Sequence, residues 1–268
     1  MNVAYHLKML GHDPAIITRI GNDERGEQLI ALLQKKDIAT TYVQKDLSTP
    51  TGIVHATPNE QGEVSYEIIS PSAWDNISYS DSFEKLFDDS NYLVFGSLIC
   101  RNSLSRNTLF QLLALAKNKV LDINLRPPHY SRELIVDLIK RTDIVKLNRS
   151  ELELISGWNR KYDDITDQIN NVQEVFQVSH IVVTLGGEGA MMKQNGQMFH
   201  HPGYQIKVED TVGSGDAFLA ALMSGLKNGM NPEKCLSFAC AVGALVTSKK
   251  GAWPEYGLDE VGLLQRSE

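Results

Sequence analysis

The sequence is short of several things, and each shortage excludes something. It has three cysteines, Cys100, Cys235 and Cys240, an odd number lacking the spacing of a disulfide framework or a zinc site. Each lies in an apolar stretch, so buried free thiols in a reducing compartment are expected. There is no basic surplus. The 26 Lys and Arg against 33 Asp and Glu leave a formal net charge of −7, which excludes a general nucleic-acid or anionic-membrane binder, because nothing neutralises the phosphates. Phosphate binding has to be local. No charged segment leads into an apolar one at the start, and no apolar run approaches the roughly eighteen residues of a membrane span. A soluble, cytoplasmic protein is expected. Internal repeats, low-complexity tracts and linkers are absent, as is the G-x-x-x-x-G-K-S/T phosphate loop.

What is present is 268 residues of which 42% are hydrophobic, enough to bury a sizeable core in one large α/β domain or two small ones. "MNVAYHLKMLG" carries Val3, Leu7 and Leu10 at helical spacing and ends on Gly11. "PAIITRIG" reads as a strand, "ERGEQLIALLQKKD" as an amphipathic helix and "TTYVQKD" as a strand. Between Thr51 and Ile69 two alternating runs flank a polar turn, Asn59 to Gly62, the pattern of an antiparallel hairpin appended to the rest. From Asn91 strands and helices alternate: "NYLVFGSL", "SLSRNTLFQLLALAKN", "KVLDINLR", "RELIVDLIKRT", "DIVKLN", "RSELELIS", a helical stretch through Val178, and "HIVVTLGG". That order implies a parallel sheet covered by helices, with ligands at the carboxyl ends of the strands. A second hairpin turns at Asn195-Gly196, and two apolar helices and a "KKGAWP" stop close the domain.

The stretch "EDTVGSGDAFLAALMSGL", Glu209 to Leu226, runs Gly213, Ser214 and Gly215 into Asp216 and then into an apolar helix. A helix start offers unpaired N–H groups and partial positive charge, and glycine lets backbone approach a phosphate closely. A transferring phosphoryl group on these amides would face Asp216, placed to take a proton from an attacking hydroxyl. A helix cap after a glycine turn explains the same local spacing. "LGGEG", Leu185 to Gly189, departs from the dinucleotide fingerprint G-x-G-x-x-G and enters a hairpin instead of a helix, which weakens an oxidoreductase reading. His200 and His201 have no spaced metal partner and read as exposed structural histidines.

"DTVGSGDAF" with its apolar helix resembles the signature of the ribokinase-like, or PfkB-type, carbohydrate kinases. "DINLRP" (Asp122 to Pro127), "KLNRSE" (Lys146 to Glu151), "VVTLGGEGA" (Val182 to Ala190) and "FACAVGALVTSKKGAWP" (Phe238 to Pro254) match in the family's order, so the resemblance spans essentially the whole chain. It implies a ribokinase-like three-layer αβα sandwich, with a mostly parallel central sheet and a small β lid at about 51–69, as a single kinase domain over 1–268. It implies Asp216 as base and the amides of Gly213, Ser214 and Gly215 as anion hole. Asn148 and Glu151 match the family's N-x-x-E element, which orders Mg²⁺ and its waters; a capping box explains their spacing equally. Asn2, Asn124 and Arg126 are implied at substrate or phosphate, a surface ion pair being the other account of the arginine. Asn148, Thr184, Gly186 and Gly189 would line the nucleotide, ATP, with Ala239, Ala244, Thr247 and Gly251 near its base. Cys240 stands where many relatives carry asparagine and reads as a packing residue. Asp210-Thr211 resembles a monovalent-cation loop, implying K⁺.

"SPSAWDNI" (Ser70 to Ile77) and "NLRPPHY" look most like fructokinases, making fructose the first choice and fructose 6-phosphate its product. Other sugar kinases of the family, for 2-keto-3-deoxygluconate or ribose, stay open because pocket shape sets specificity. So does a nucleotide-binding protein without sugar phosphorylation, because relatives carry before the position of Asn2 a core strand, a sugar-contacting aspartate and a glycine pair. By that analogy about thirty residues would precede Met1, and without them a sheet edge would stand open. The sugar is expected under the Thr51–Ile69 lid, which in relatives often pairs with a second subunit, implying a homodimer. Nucleic acid and membrane are not expected partners.

Overall fold

A computed structural model describes residues 1–58 and 64–266. The expected turn at Asn59 to Gly62 lies outside the described residues. In chain order the elements are α1 (Asn2–Met9), β1 (Thr18–Gly21), α2 (Glu24–Lys35), β2 (Val43–Asp46), β3 (Val54–Pro58), β4 (Val64–Ile68), α3 (Glu84–Asp89), β5 (Leu93–Gly96) and α4 (Ser103–Leu115). There follow β6 (Lys119–Asp122), α5 (Arg132–Lys140), β7 (Ile144–Asn148), α6 (Arg149–Ser156), α7 (Ile165–Phe176), β8 (His180–Thr184), β9 (Ala190–Gln194) and β10 (Gln197–His201). The helices α8 (Ser214–Lys227), α9 (Pro232–Thr247) and α10 (Leu258–Gln265) close the chain. Helix starts follow the side chains that can cap them: Asp23, Ser131, Asp164 and Asn231 each accept a backbone N–H of the first turn of α2, α5, α7 and α9.

The chain divides into two compact units, residues 1–14, 90–98 and 116–268 in one and residues 15–89 and 99–115 in the other. The first unit holds a six-stranded sheet in the order β10-β9-β8-β7-β6-β5, with β5 to β8 parallel and β9 and β10 antiparallel. Alternation along each strand sorts its side chains to two faces. Val120, Ile144, Val182 and Met192 join the apolar cluster of α8 and α9, which also takes Leu219, Leu222, Leu236 and Val242. On that side α1 packs on α8, and α10 on α9. The alternate residues, Leu121, Val145, Leu147, Ile181 and Val183, are equally buried, and α6 and α7 pack on β7 and β8 with α5 beside α7. This is the expected helix-covered, mainly parallel sheet.

The second unit pairs β1 with β2 in parallel and β3 with β4 antiparallel, the latter being the expected hairpin. Its interior combines Ile20, Leu33, Ile38, Phe83, Leu109 and Leu112 with two ion pairs whose carboxylates are buried. Arg19 reaches Asp46 at 2.9 Å, and Arg101 grips Asp75 at 2.6 Å while lying 3.9 Å over the Trp74 ring.

Three expectations need correction. The strand in "PAIITRIG" covers only Thr18–Gly21, with Ala15 making an isolated bridge to Ala39. The chain does not close after two apolar helices: α10 follows, its start held by the Glu260 carboxylate accepting the Gly257 N–H. His201 is buried, not exposed, because its Nδ1 accepts the Gly203 N–H and its ring lies 4.9 Å from that of Tyr204. All three cysteines are buried thiols outside any disulfide, as expected. Among the described residues no helix is long and apolar enough to cross a membrane.

Candidate functional site

The period of two that places Val120 and Ile144 toward α8 places Asp122 and Lys146 there too, at the carboxyl ends of β6 and β7. Parallel register sets the two residues opposite each other, and Lys146 Nζ donates to Asp122 Oδ1 at 2.9 Å. The ammonium also lies against the start of α8: a methyl group on Gly215 would stand 3.6 Å from Nζ. Burial pushes the Asp122 carboxyl up, Lys146 pulls it down, and the charge of Asp216 raises it again. Two carboxylates and one ammonium therefore share a poorly solvated corner beneath the first turn of α8.

That turn begins at Gly213, which caps α8 with φ +80° and no side-chain hydrogen bond. A side chain there would be strained by φ and would also meet Ala252, whose Cα and Cβ lie 2.9 Å from where a Cβ would stand. Ser214 N–H reaches Thr211 O at 3.3 Å, whereas the amides of Gly213 and Gly215 have no hydrogen-bond partner among the described residues. Free N–H groups at a helix start are an anion cradle. Asp216 sits in the same turn, and its Oδ2 accepts from Asn2 Nδ2 at 2.8 Å. Its Oδ1 has no partner among the described residues.

The Asn148–Glu151 spacing forms the capping box. Glu151 N–H donates to Asn148 Oδ1 and Asn148 N–H to Glu151 Oε2, both at 2.9 Å, and Glu151 Oε1 takes the Leu125 N–H at 2.8 Å. Glu151 is buried and burial raises its carboxyl. Both its oxygens are already bonded to backbone, so these donors suit a hard cation that keeps its own waters, with Asn148 exposed at the strand end. No cluster of His, Cys, Asp or Glu able to hold a metal directly is found among the described residues.

Asn124 and Arg126 follow β6 on the exposed surface, Asn124 at φ +43°. Arg126 donates to Leu125 O, not to a carboxylate. Thr184 ends β8 beside Asn148 in register. Gly186 has open space where a side chain would stand, and so has Gly251. Ala244 and Thr247 are part-exposed on α9. Ala239 is wholly buried in the apolar core and has no surface to offer a nucleotide, and Cys240 packs beside it. Asp210 joins two loops, its Oδ1 accepting Val212 N–H at 2.9 Å and its Oδ2 Gly251 N–H at 3.0 Å. Those bonds hold its carboxyl below the usual range. Thr211 is exposed.

Sequence reasoning named neither Lys146 nor Trp253 as site residues. A lysine inside the apolar strand "DIVKLN" was the available signal for the first. Nothing local marked the second.

Comparison with known proteins agrees with this arrangement. The profile described as pfkB family carbohydrate kinase matches residues 1–255. A Pyrococcus horikoshii protein described as an uncharacterized sugar kinase is 30% identical over 271 residues, covering 97% of this chain and 83% of the relative. Its crystal structure superposes with a TM-score of 0.85 over 98% of this chain and 88% of that one, and a second structure of it holds ATP. A Klebsiella pneumoniae fructokinase is 29% identical over 267 residues, 94% of this chain and 85% of the relative. An ATP-dependent 6-phosphofructokinase of Thermoanaerobacterium thermosaccharolyticum is 29% identical over 261 residues, covering 94% and 78%. Motifs, fold and matched span agree, and the chain belongs to the pfkB family of carbohydrate kinases.

Proposed function

We propose that the protein transfers the γ-phosphoryl group of ATP to a sugar hydroxyl, with fructose as the sugar. The observation that carries this reading is the Asp216 carboxylate beside the unpartnered amides of Gly213 and Gly215. The γ-phosphoryl oxygens rest on those amides, where the helix start stabilises the charge that develops. Asp216 Oδ1 takes the proton of the acceptor hydroxyl. As the new O–P bond forms, the bond from the γ-phosphorus to the β–γ bridging oxygen breaks, and ADP leaves. The Lys146 ammonium beneath Gly215 adds positive charge on the side of the cradle facing the sheet. Asn148 and Glu151 would hold Mg²⁺ through its waters, and the ion would supply charge screening for the nucleotide phosphates. A potassium ion at the Asp210–Thr211 loop is a subsidiary part of the proposal, tested by exchanging K⁺ for Na⁺ in the assay.

The choice of fructose is supported by the likeness of "SPSAWDNI" and "NLRPPHY" to fructokinases and by the relatives of that name. The test is coupled ADP release with fructose, fructose 6-phosphate, ribose and 2-keto-3-deoxygluconate. Fructose should give the highest kcat/KM; preference for another sugar reassigns the substrate but keeps the chemistry. In Asp216→Asn, kcat should fall by about 10²–10⁴-fold, with ATP affinity measured by calorimetry nearly unchanged. Retained turnover would refute the role of Asp216.

A further inference from the structure

Asp216 is held by a chain of two hydrogen bonds whose far end is an indole. Trp253 Nε1 donates to Asn2 Oδ1 at 2.8 Å, and Asn2 Nδ2 donates to Asp216 Oδ2 at 2.8 Å. The two ends fix the direction of the middle. An indole N–H can only donate and an ionised carboxylate can only accept, so the Asn2 amide has one orientation that satisfies both. Rotating it by half a turn would set its NH₂ against the indole N–H and its oxygen against the carboxylate.

The indole is itself immobilised. Its ring stacks on Tyr5 at 4.8 Å with planes 3° apart, and Tyr5, wholly buried, donates its hydroxyl to Pro254 O at 3.0 Å. The next residue of α1, His6, is also buried, with Nε2 3.1 Å from Ala252 O and Nδ1 3.0 Å from Tyr256 Oη. Since a carbonyl only accepts, Nε2 carries the proton and Nδ1 accepts from the tyrosine. The segment 252–256 thus clasps α1 at Asn2, Tyr5 and His6, while Ala252 abuts Gly213 at the head of α8. Together these contacts position one N–H, and that N–H orients one amide.

We infer that Trp253 is a positioning residue for phosphoryl transfer: through Asn2 it holds Asp216 Oδ2, leaving Oδ1 as the oxygen that receives the sugar proton. The inference rests on the proposed role of Asp216 as base. It deepens that role, because a carboxylate free to rotate would present either oxygen, and general-base catalysis depends on geometry first.

The test is a double-mutant cycle. Trp253→Phe keeps an aromatic ring to stack on Tyr5 while removing the donor and part of the ring area; Asn2→Ala removes the amide. ADP release gives kcat and KM for each single variant, the double variant and the wild type, with nucleotide affinity by calorimetry and thermal melts alongside. Trp253→Phe should lower kcat roughly five- to tenfold, with KM for ATP and nucleotide affinity within about twofold. In the Asn2→Ala background it should cost nothing further, because its effect runs through the missing amide. Multiplying losses would overturn the inference, as would an unchanged kcat in Trp253→Phe. If Trp253→Phe melts early, Asn2→Asp decides: it still accepts the indole N–H but sets a second carboxylate against Asp216, so kcat should fall below that of Asn2→Ala, and a kcat at or above that of Asn2→Ala overturns the inference. A wild type that binds ATP but releases no ADP with any sugar defeats the kinase reading and this inference with it, whereas multiplying losses in an active enzyme defeat this inference alone.

Discussion

Replacing Lys146 by Met keeps most of the length of the side chain and removes its charge, leaving Asp122 without its partner beneath the first turn of α8. The two side chains are 7% and 13% exposed and 2.9 Å apart. Removing one partner of a buried ion pair costs about 3–5 kcal/mol. A second route gives a similar figure. The orphaned carboxyl can shed its charge by binding a proton. Keeping a group neutral at pH 7 when it would ionise near 3.9 in the unfolded chain costs about 3 × 1.4, or roughly 4 kcal/mol. The sign of the pH dependence follows. Burial and the charge of Asp216 both raise the Asp122 carboxyl, and Lys146 is the first-named influence that lowers it. In Lys146→Met the native carboxyl therefore keeps a proton that the unfolded chain has released. Stability then falls as pH rises above the unfolded value, by up to about 1.4 kcal/mol per unit, and the deficit relative to wild type shrinks toward pH 4. Urea unfolding of wild type and variant at pH 5 and pH 7.5 measures this. Lys146→Met combined with Asp122→Asn should recover most of the loss. A deficit under about 1 kcal/mol at pH 7.5, well below the cost of breaking a buried pair, or an equal deficit at both pH values, would refute the electrostatic account of this corner.

Two further outcomes are expected. Gly189 has φ +85°, and the backbone of His201 to Gly203 fills the space a side chain would need, so Gly189→Ala should lower the melting temperature by about 5 °C or more; a melt within about a degree of wild type contradicts the close approach. The thiols of Cys100, Cys235 and Cys240 are buried, and burial pushes that of Cys235 up to about 12, so a disulfide reagent at pH 8 should modify none of them rapidly and all of them in concentrated guanidinium. Fast labelling of the native protein would show that one of them is reachable.

The alternation of sheet and helix was legible because buried parallel strands are continuous apolar runs, as in "IVKL" and "IVVT", and because Asp23, Ser131, Asp164 and Asn231 stand where helices can use them. The glycine-to-aspartate turn was legible for the same local reason. The short α10 was not, since "LDEVGLLQ" buries only Val261 and has no marked apolar stripe. His201 was misjudged because its burial comes from Gly203 and Tyr204 beyond the strand end. The Lys146–Asp122 pair spans 24 residues, and only the register of β6 on β7 brings it together. Trp253 and Asn2 are 251 residues apart. No pattern within a window of one helix or strand contains such a pair; it exists only once α1 and the segment after α9 have met.

Asp210 ties the loop entering α8 to Gly251 in the loop leaving α9, while the adjacent Ala252 closes on Gly213. The residues proposed to receive the phosphate are consequently set in place when the chain folds, before any nucleotide arrives. Ordering them is a cost met once, during folding, so the contact energy of an incoming phosphate need not be diverted to shaping its own receptor.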